Sequence, residues 1–197
     1  MLILNAVGLQ IRPSGKDTNK MNIMEIIQFR INRYGNTPIF GVCLSEGQNW
    51  LVIRENEVDY YLGGIKFINK KFIRHRIIVD NDAMKLTILS SKYSNYEKDK
   101  SVIESLNLDN NTDLFQSLKN KSCLLGVGLN KKDKFFVGRI ENIYEKSISL
   151  RTIGTFTEDC GMMNIPFDKI RFVGVDTDYL NSLNLYMENK KGMDKNK

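Results

Sequence analysis

The chain has 197 residues, a formal net charge of +6, 42% apolar residues and 26% charged residues. This apolar content is enough to build a core, which argues against a disordered chain and fits one globular domain or two small ones. The cysteines Cys43, Cys123 and Cys160 are odd in number and far apart, which excludes a disulfide framework.

The N-terminus and the hydropathy pattern predict where the protein resides. No apolar run approaches the roughly 20 residues that a membrane-spanning helix needs. The N-terminal stretch lacks a preceding basic segment, so we expect no signal peptide. Free cysteines without a secretion signal predict a cytoplasmic protein. We expect residues 1–20 to form an N-terminal arm.

Residues 21–91 are predicted to hold a helix followed by a small β-barrel. Asn22 and Glu25 have capping-box spacing, and the apolar residues that follow recur at helical intervals. We therefore expect a helix over residues 21–34. Further along, the apolar period becomes that of strands, with turn residues between the runs. The predicted strands cover residues 39–44, 50–53, 58–68 and 72–79.

Residues 92–112 are polar and are predicted to be a linker. A second helix and a second small barrel are expected over residues 113–187. Asp113 stands at the start of the first helix of this half, and Asp178 at the start of its C-terminal helix. We expect residues 188–197 to form a basic tail. The predicted strands of this half cover residues 122–129, 134–144, 147–151, 162–167 and 170–175.

The two halves can be laid on each other, which indicates a degenerate tandem repeat. Gly41-Val42-x-Leu44 matches Gly126-Val127-x-Leu129, and Tyr61-Leu62-Gly63-Gly64-Ile65 matches Phe136-Val137-Gly138-Arg139-Ile140. A glycine inside a strand marks the bulge or bend that closes small barrels. The predicted fold class is therefore mainly β with flanking helices (α+β). We expect two tandem small antiparallel barrels, each preceded by a short helix.

The stretch Phe136-Val137-Gly138-Arg139-Ile140 resembles the aromatic-x-Gly-x-aliphatic pattern in the first motif of Sm-like domains, and Ile170–Gly174 is similar to the second. The resemblance to Sm-like and SH3-like barrels covers roughly residues 113–176 and, more weakly, 21–79. It implies a five-stranded barrel in each half. Residues 141–147 do not reproduce the Asp and Asn of RNA-binding Sm proteins. The first half, with Trp50 and the stretch 58–64, is also similar to uncharacterised bacterial proteins of this length.

Catalytic constellations are not evident in the sequence. His75 is the single histidine, which excludes most His-based acid–base pairs, triads and metal sites. The cysteines lack metal-ligand spacing, and the glycines do not form a phosphate-binding loop. We therefore predict a protein that is not an enzyme and has no cofactor and no metal site.

The candidate site residues are basic and aromatic. Arg74 and Arg76 alternate on a predicted strand, so both would point the same way toward successive phosphates. The alternative is a solvated hairpin whose charges protect a sheet edge. Trp and Tyr are favoured interface anchors, although Trp50 also fits a place in the core. The candidate residues are Lys66, Lys70, Lys71, Arg74 and Arg76 with Trp50, Tyr60 and Tyr61.

Two functions fit these surfaces. The first is a non-catalytic protein-interaction module, adaptor-like or immunity-like, that docks a protein partner through the aromatics and the basic hairpin. The second is binding of RNA or single-stranded nucleic acid through residues 66–76, with bases stacked on Tyr60 or Tyr61. We expect no membrane partner, and the sequence leaves the oligomeric state open.

Overall fold

A computed structural model describes residues 24–35, 37–79, 83–93, 96–130 and 134–194, and the predicted arm 1–20 lies outside them. The described part contains no helix that is long and apolar enough to cross a membrane. The strands are β1 Ile26–Ile31, β2 Ile39–Glu46, β3 Trp50–Glu55, β4 Ile65–Asn69, β5 Ile73–Ile78, β6 Leu125–Gly128, β7 Phe135–Ile143, β8 Ser147–Ile153, β9 Asp159–Pro166 and β10 Phe172–Val175. The helices are α1 Ala83–Lys92, α2 Tyr96–Glu104, α3 Asn111–Asn120 and α4 Asp178–Asp194, with 3₁₀ turns at Lys70–Phe72 and Phe167–Lys169.

All ten strands that the structure describes belong to one antiparallel sheet in the order β5-β1-β2-β3-β4-β10-β6-β7-β8-β9. The prediction of two tandem Sm-like or SH3-like barrels is therefore wrong, because the sheet is continuous and not closed into a barrel. The physical reason lies at the junction, where β4 pairs with β10 and Phe67 lies opposite Val173. The fourth strand of the first half pairs with the last strand of the second half, so the two halves join in one sheet instead of each closing on itself.

The helix predicted over residues 21–34 is also wrong where the structure describes it, because residues 26–31 form β1. The run contains three isoleucines, whose branched side chains favour strands. β1 is paired on both sides, with β2 and with β5. Its apolar residues are buried on both faces, so they lack the alternation that would have indicated a strand.

The predicted linker contains α2 and contributes to the core. Tyr96, Ile103 and Leu108 from this segment are buried. Tyr96 and Ile103 are seven residues apart, which puts them on one face of a helix. The prediction of a plain connection overlooked this face because the residues between them are mostly polar. Asn110, rather than the predicted Asp113, caps α3, and its side chain accepts a hydrogen bond from the Asp113 backbone nitrogen.

The strand pairings reveal an internal repeat in a register that differs from the one expected from sequence. Trp50 lies opposite Asn69 and Ser147 opposite Pro166, so equivalent positions are 97 residues apart. The same shift relates the bulge at residues 43–45 of β2 to the bulge at residues 140–142 of β7. Gly41 therefore corresponds to Gly138 and not to Gly126, because their partners across the strands, Glu55 and Thr152, are also 97 residues apart.

Buried residues of α1, α2 and α3 belong to the main core, whereas Leu180 of α4 packs with Leu124 and Val137 in a separate small cluster. Trp50 of β3 packs edge-on against Phe115 of α3, with ring centroids 5.8 Å apart. Phe115 in turn stacks on Phe167 at 5.1 Å, so one aromatic chain joins the two halves. A second, smaller core comprises Ile27, Phe29, Ile31, Leu51, Ile53, Ile68, Phe72 and Phe172.

Candidate binding surfaces

Three basic residues of the predicted hairpin are paired with two carboxylates. Lys66 forms an ion pair with Glu55 in the neighbouring strand. Glu46 accepts from Lys70 and from Arg76, both at 2.7 Å. Partial burial alone would raise the pKa of Glu46, but the hydrogen bonds from these two cations outweigh it and lower the pKa. Most of the positive charge expected in this segment is therefore already paired.

Arg74 lies in a different environment from Arg76. The register of β1 and β5 shifts between Gln28 and Arg30, which is a bulge, and His75 has a left-handed φ of 52° there. Arg74 faces Arg30 directly across the strands, whereas Arg76 is bonded to Glu46. The two arginines expected to act together are separated by the bulge, since a bulge interrupts the alternation of side chains.

A shallow depression of about 170 Å³ lies at this edge of the sheet. It is lined by Arg30 and Arg74 from the strands and by Arg33 from the turn after β1. Arg33 has a left-handed φ of 60°, which is uncommon for a non-glycine residue. All three arginines are exposed. Sequence reasoning missed Arg30 and Arg33 because they fell on the polar side of an expected helix.

The candidate aromatic residues differ in exposure. Trp50 is fully buried, and its indole nitrogen donates to Asn111 Oδ1 at 2.8 Å. Tyr60 and Tyr61 lie at the surface, with exposed fractions of 37% and 39%. The Tyr61 hydroxyl donates to Asp178 at the start of α4 at 2.7 Å. Trp50 is therefore a core residue, and the two tyrosines remain available at the surface.

The thiols and the histidine lie in different elements, with Cys123 in the segment between α3 and β6. Burial raises the pKa of Cys43, and it also raises the pKa of Cys123. Both thiols are therefore disfavoured as thiolate nucleophiles. Cys160 is exposed in β9, and His75 is exposed in β5. Across the described ranges, no group of three or more His, Cys, Asp or Glu residues has the geometry to hold a metal ion.

A cavity of about 830 Å³ lies between α2, the end of α3, β7 and α4. Its floor is apolar, with Phe67 and Leu180 among the lining residues. Arg54 bridges Asp99 at 2.6 Å and Asp176 at 3.5 Å beside it, and both carboxylates line the cavity. The sequence could not indicate this cavity, because its lining comes from both predicted halves and from the segment that was predicted to be a linker.

Among the strands that the structure describes, β5 and β9 lie at the two ends of the sheet, and each has a strand neighbour on one side only. β5 exposes Ile77 and Ile78 at 54% and 51%, and β9 exposes Met162 at 49%. Unpaired strands that present backbone donors, acceptors and apolar side chains are surfaces on which another strand can add.

Comparisons of the chain with protein-family models, with curated proteins and with solved structures find no match. The arrangement offers two surfaces: the open sheet edges and the arginine depression beside β5. The first favours a protein strand as partner, and the second favours an anion.

Proposed function

We propose that this protein is a non-catalytic protein-interaction module whose interaction surfaces are the two open sheet edges. The observation that carries the proposal is the internal junction between β4 and β10. By the shift of 97 residues, β9 is equivalent to β4 and β5 is equivalent to β10. The two strands at the ends of the described sheet are thus the counterparts of the two strands that pair inside the chain.

The partner that fits both edges at once is a second copy of the chain. β9 of one copy pairs antiparallel with β5 of the next, as β4 pairs with β10. Because Ile65 lies opposite Val175 and Lys66 opposite Gly174, the equivalent pairs place Met162 opposite Ile78 and Met163 opposite Ile77. Such a contact covers the exposed apolar residues of both edges, since cross-strand apolar pairs stabilise sheets.

The contact is heterologous, because it joins two different surfaces of the same protein. Repetition of a heterologous contact generates a closed ring or an open filament. Pro166 at the end of β9 lacks a backbone N–H, so the hydrogen bond that Asn69 donates to Arg171 inside the chain has no equivalent. We therefore expect the contact between copies to be weaker than the internal junction. Assembly of this adaptor-like module should then depend on protein concentration.

A cysteine pair tests the register. The Asn69 backbone nitrogen donates to the Arg171 carbonyl, so Asn69 and Arg171 are a hydrogen-bonded pair. Hydrogen-bonded and non-hydrogen-bonded pairs alternate along antiparallel strands, so Lys66 and Gly174, three positions away, are a non-hydrogen-bonded pair, in which the Cα atoms are closer. Its equivalent is Met163 with Ile77. We therefore substitute Ile77→Cys and Met163→Cys in a Cys160→Ser background, and we expect mild oxidation to produce a ladder of covalent multimers.

The matched control is Ile78→Cys with Met163→Cys, which moves one thiol to the other side of the strand. We expect it to form far less of the ladder. Sedimentation of the unmodified protein should show mass increasing with concentration, and Ile77→Lys or Met162→Lys should return it to monomer. A protein that is monomeric at every concentration, with equal cross-linking of both cysteine pairs, would show that the partner is not a second copy.

A further inference from the structure

We propose that Arg30, Arg33 and Arg74 form a binding site for the phosphates of a single-stranded nucleic acid. The inference is independent of the sheet-edge contacts, because it rests on a side-chain cluster and not on backbone pairing. Arg30 and Arg74 lie directly opposite each other on β1 and β5. Like charges in that position destabilise a sheet, so the pair is unfavourable unless an anion lies between or above the two guanidinium groups.

Within the described ranges, none of the three arginines has a carboxylate counterion. Among the described residues, no carboxylate lies within 4.0 Å of their guanidinium groups. In contrast, Lys70 and Arg76 both form ion pairs with Glu46 of β2. The fold therefore neutralises some of its basic residues and leaves the cluster around the depression charged.

A buried fourth arginine adds to the positive charge. The Arg171 guanidinium stacks on Phe72 at 3.5 Å from the ring centroid, and its Nε has no hydrogen-bond partner. Arg171 is only 6% exposed. The turn that carries Arg33 is held next to Phe72, because the Asn32 backbone nitrogen donates to the Phe72 carbonyl at 2.8 Å. Burial is the main reason that the pKa of Arg171 is lowered, and the positive charge of Arg33 lowers it further.

The chemistry of the cluster selects phosphate esters. Guanidinium groups present planar, paired N–H donors that match the oxygens of a phosphate. Exposed Lys71 extends the positive surface along the 3₁₀ turn beside Phe72, with its Nζ 5.6 Å from the ring centroid. A shallow depression with several cations spread around it suits a chain of phosphates that crosses it, rather than one enclosed nucleotide.

The experiment is a binding titration with a labelled single-stranded oligonucleotide over a salt series. Neutralisation of three phosphates should give a slope of log K against log salt of about −2. Arg30→Gln with Arg74→Gln should reduce that slope to about −0.7 and weaken binding at low salt by at least about tenfold. The same double variant should keep or raise the melting temperature, because it removes a repulsive pair.

Lys70→Gln with Arg76→Gln is the matched control, since it changes the net charge equally at residues already paired with Glu46. We expect it to bind almost as tightly as the unmodified protein. Equal losses in the two double variants, or no binding at low salt, would overturn the proposal. Complete displacement of the oligonucleotide by inorganic phosphate or by a mononucleotide, at the same total phosphate concentration, would also overturn the proposal. That result would show that the site binds a single phosphate.

Discussion

Gly41 in β2 and Gly138 in β7 occupy equivalent positions, each against the carbonyl oxygen of an arginine in the next strand. A Cβ on Gly41 would lie 2.9 Å from the oxygen of Arg54, and a Cβ on Gly138 would collide with the oxygen of Arg151. Each glycine lies two residues before the start of the bulge in its strand. The close approach of the strands therefore recurs in both halves, and it explains why glycine is needed at these two points.

Gly138→Ala should destabilise the protein by about 1–3 kcal/mol, because the added methyl group has no space beside backbone atoms that cannot move. Gly174→Ala is the matched control in β10, where the nearest atom to the added Cβ is 3.8 Å away. It should be neutral or stabilising by up to about 1 kcal/mol, since alanine reduces the entropy of the unfolded chain. Urea unfolding measures both, and equal effects would contradict the repeat-specific packing.

Trp50→Ala should lower the free energy of unfolding by about 3–5 kcal/mol, the range for large buried aromatics. Trp50 is fully buried between the sheet and α3, and the truncation also leaves the Asn111 carbonyl without its donor. Tyr60→Ala, at an exposed position, should change stability by less than about 0.5 kcal/mol. Denaturant melts followed by circular dichroism give both values, and an unchanged midpoint for Trp50→Ala would place the side chain outside the core.

The strands of the second half could be predicted from sequence to within a few residues, because their apolar runs are separated by clear turn residues. β7 was expected over 134–144 and spans Phe135–Ile143. The junction of β4 with β10 could not be predicted, because partner choice between distant strands depends on which edges remain free after local pairing. The same limit hid the arginine cluster, since Arg30 and Arg74 meet only through the long-range pairing of β1 with β5.

Tyr61 should titrate later than an ordinary tyrosine. Its hydroxyl donates to Asp178, and this hydrogen bond is the main reason that its pKa rises to about 12. Because the folded pKa is raised, the contact contributes to stability below about pH 10 and is lost as the pH rises through about 12. An ultraviolet titration should lose one late-titrating tyrosine in Tyr61→Phe. Asp178→Asn should shift that tyrosine toward the ordinary range, and a titration unchanged by Asp178→Asn would contradict the assignment.

Glu46 should make stability depend on pH in the acidic range. The folded pKa of Glu46 is lowered, with the hydrogen bonds from Lys70 and Arg76 outweighing the effect of partial burial. The contribution of the carboxylate is therefore present above its unfolded pKa and is lost as the pH falls through the lower folded pKa. At neutral pH, Glu46→Gln should cost up to about 1 kcal/mol, as for a favourable surface ion-pair network.

Unfolding free energies measured from pH 7 down to pH 3 check this expectation for Glu46. The difference between the unmodified protein and Glu46→Gln should shrink as the pH falls, because protonation removes the same charge that the substitution removes. Glu141→Gln is the matched control, since Glu141 pairs with Arg151 at 3.2 Å where both side chains are about half exposed. It should show a smaller difference at neutral pH, because solvent screens that pair more strongly. A difference for Glu46→Gln that stays constant with pH would mean that the substitution acts through packing and not through charge.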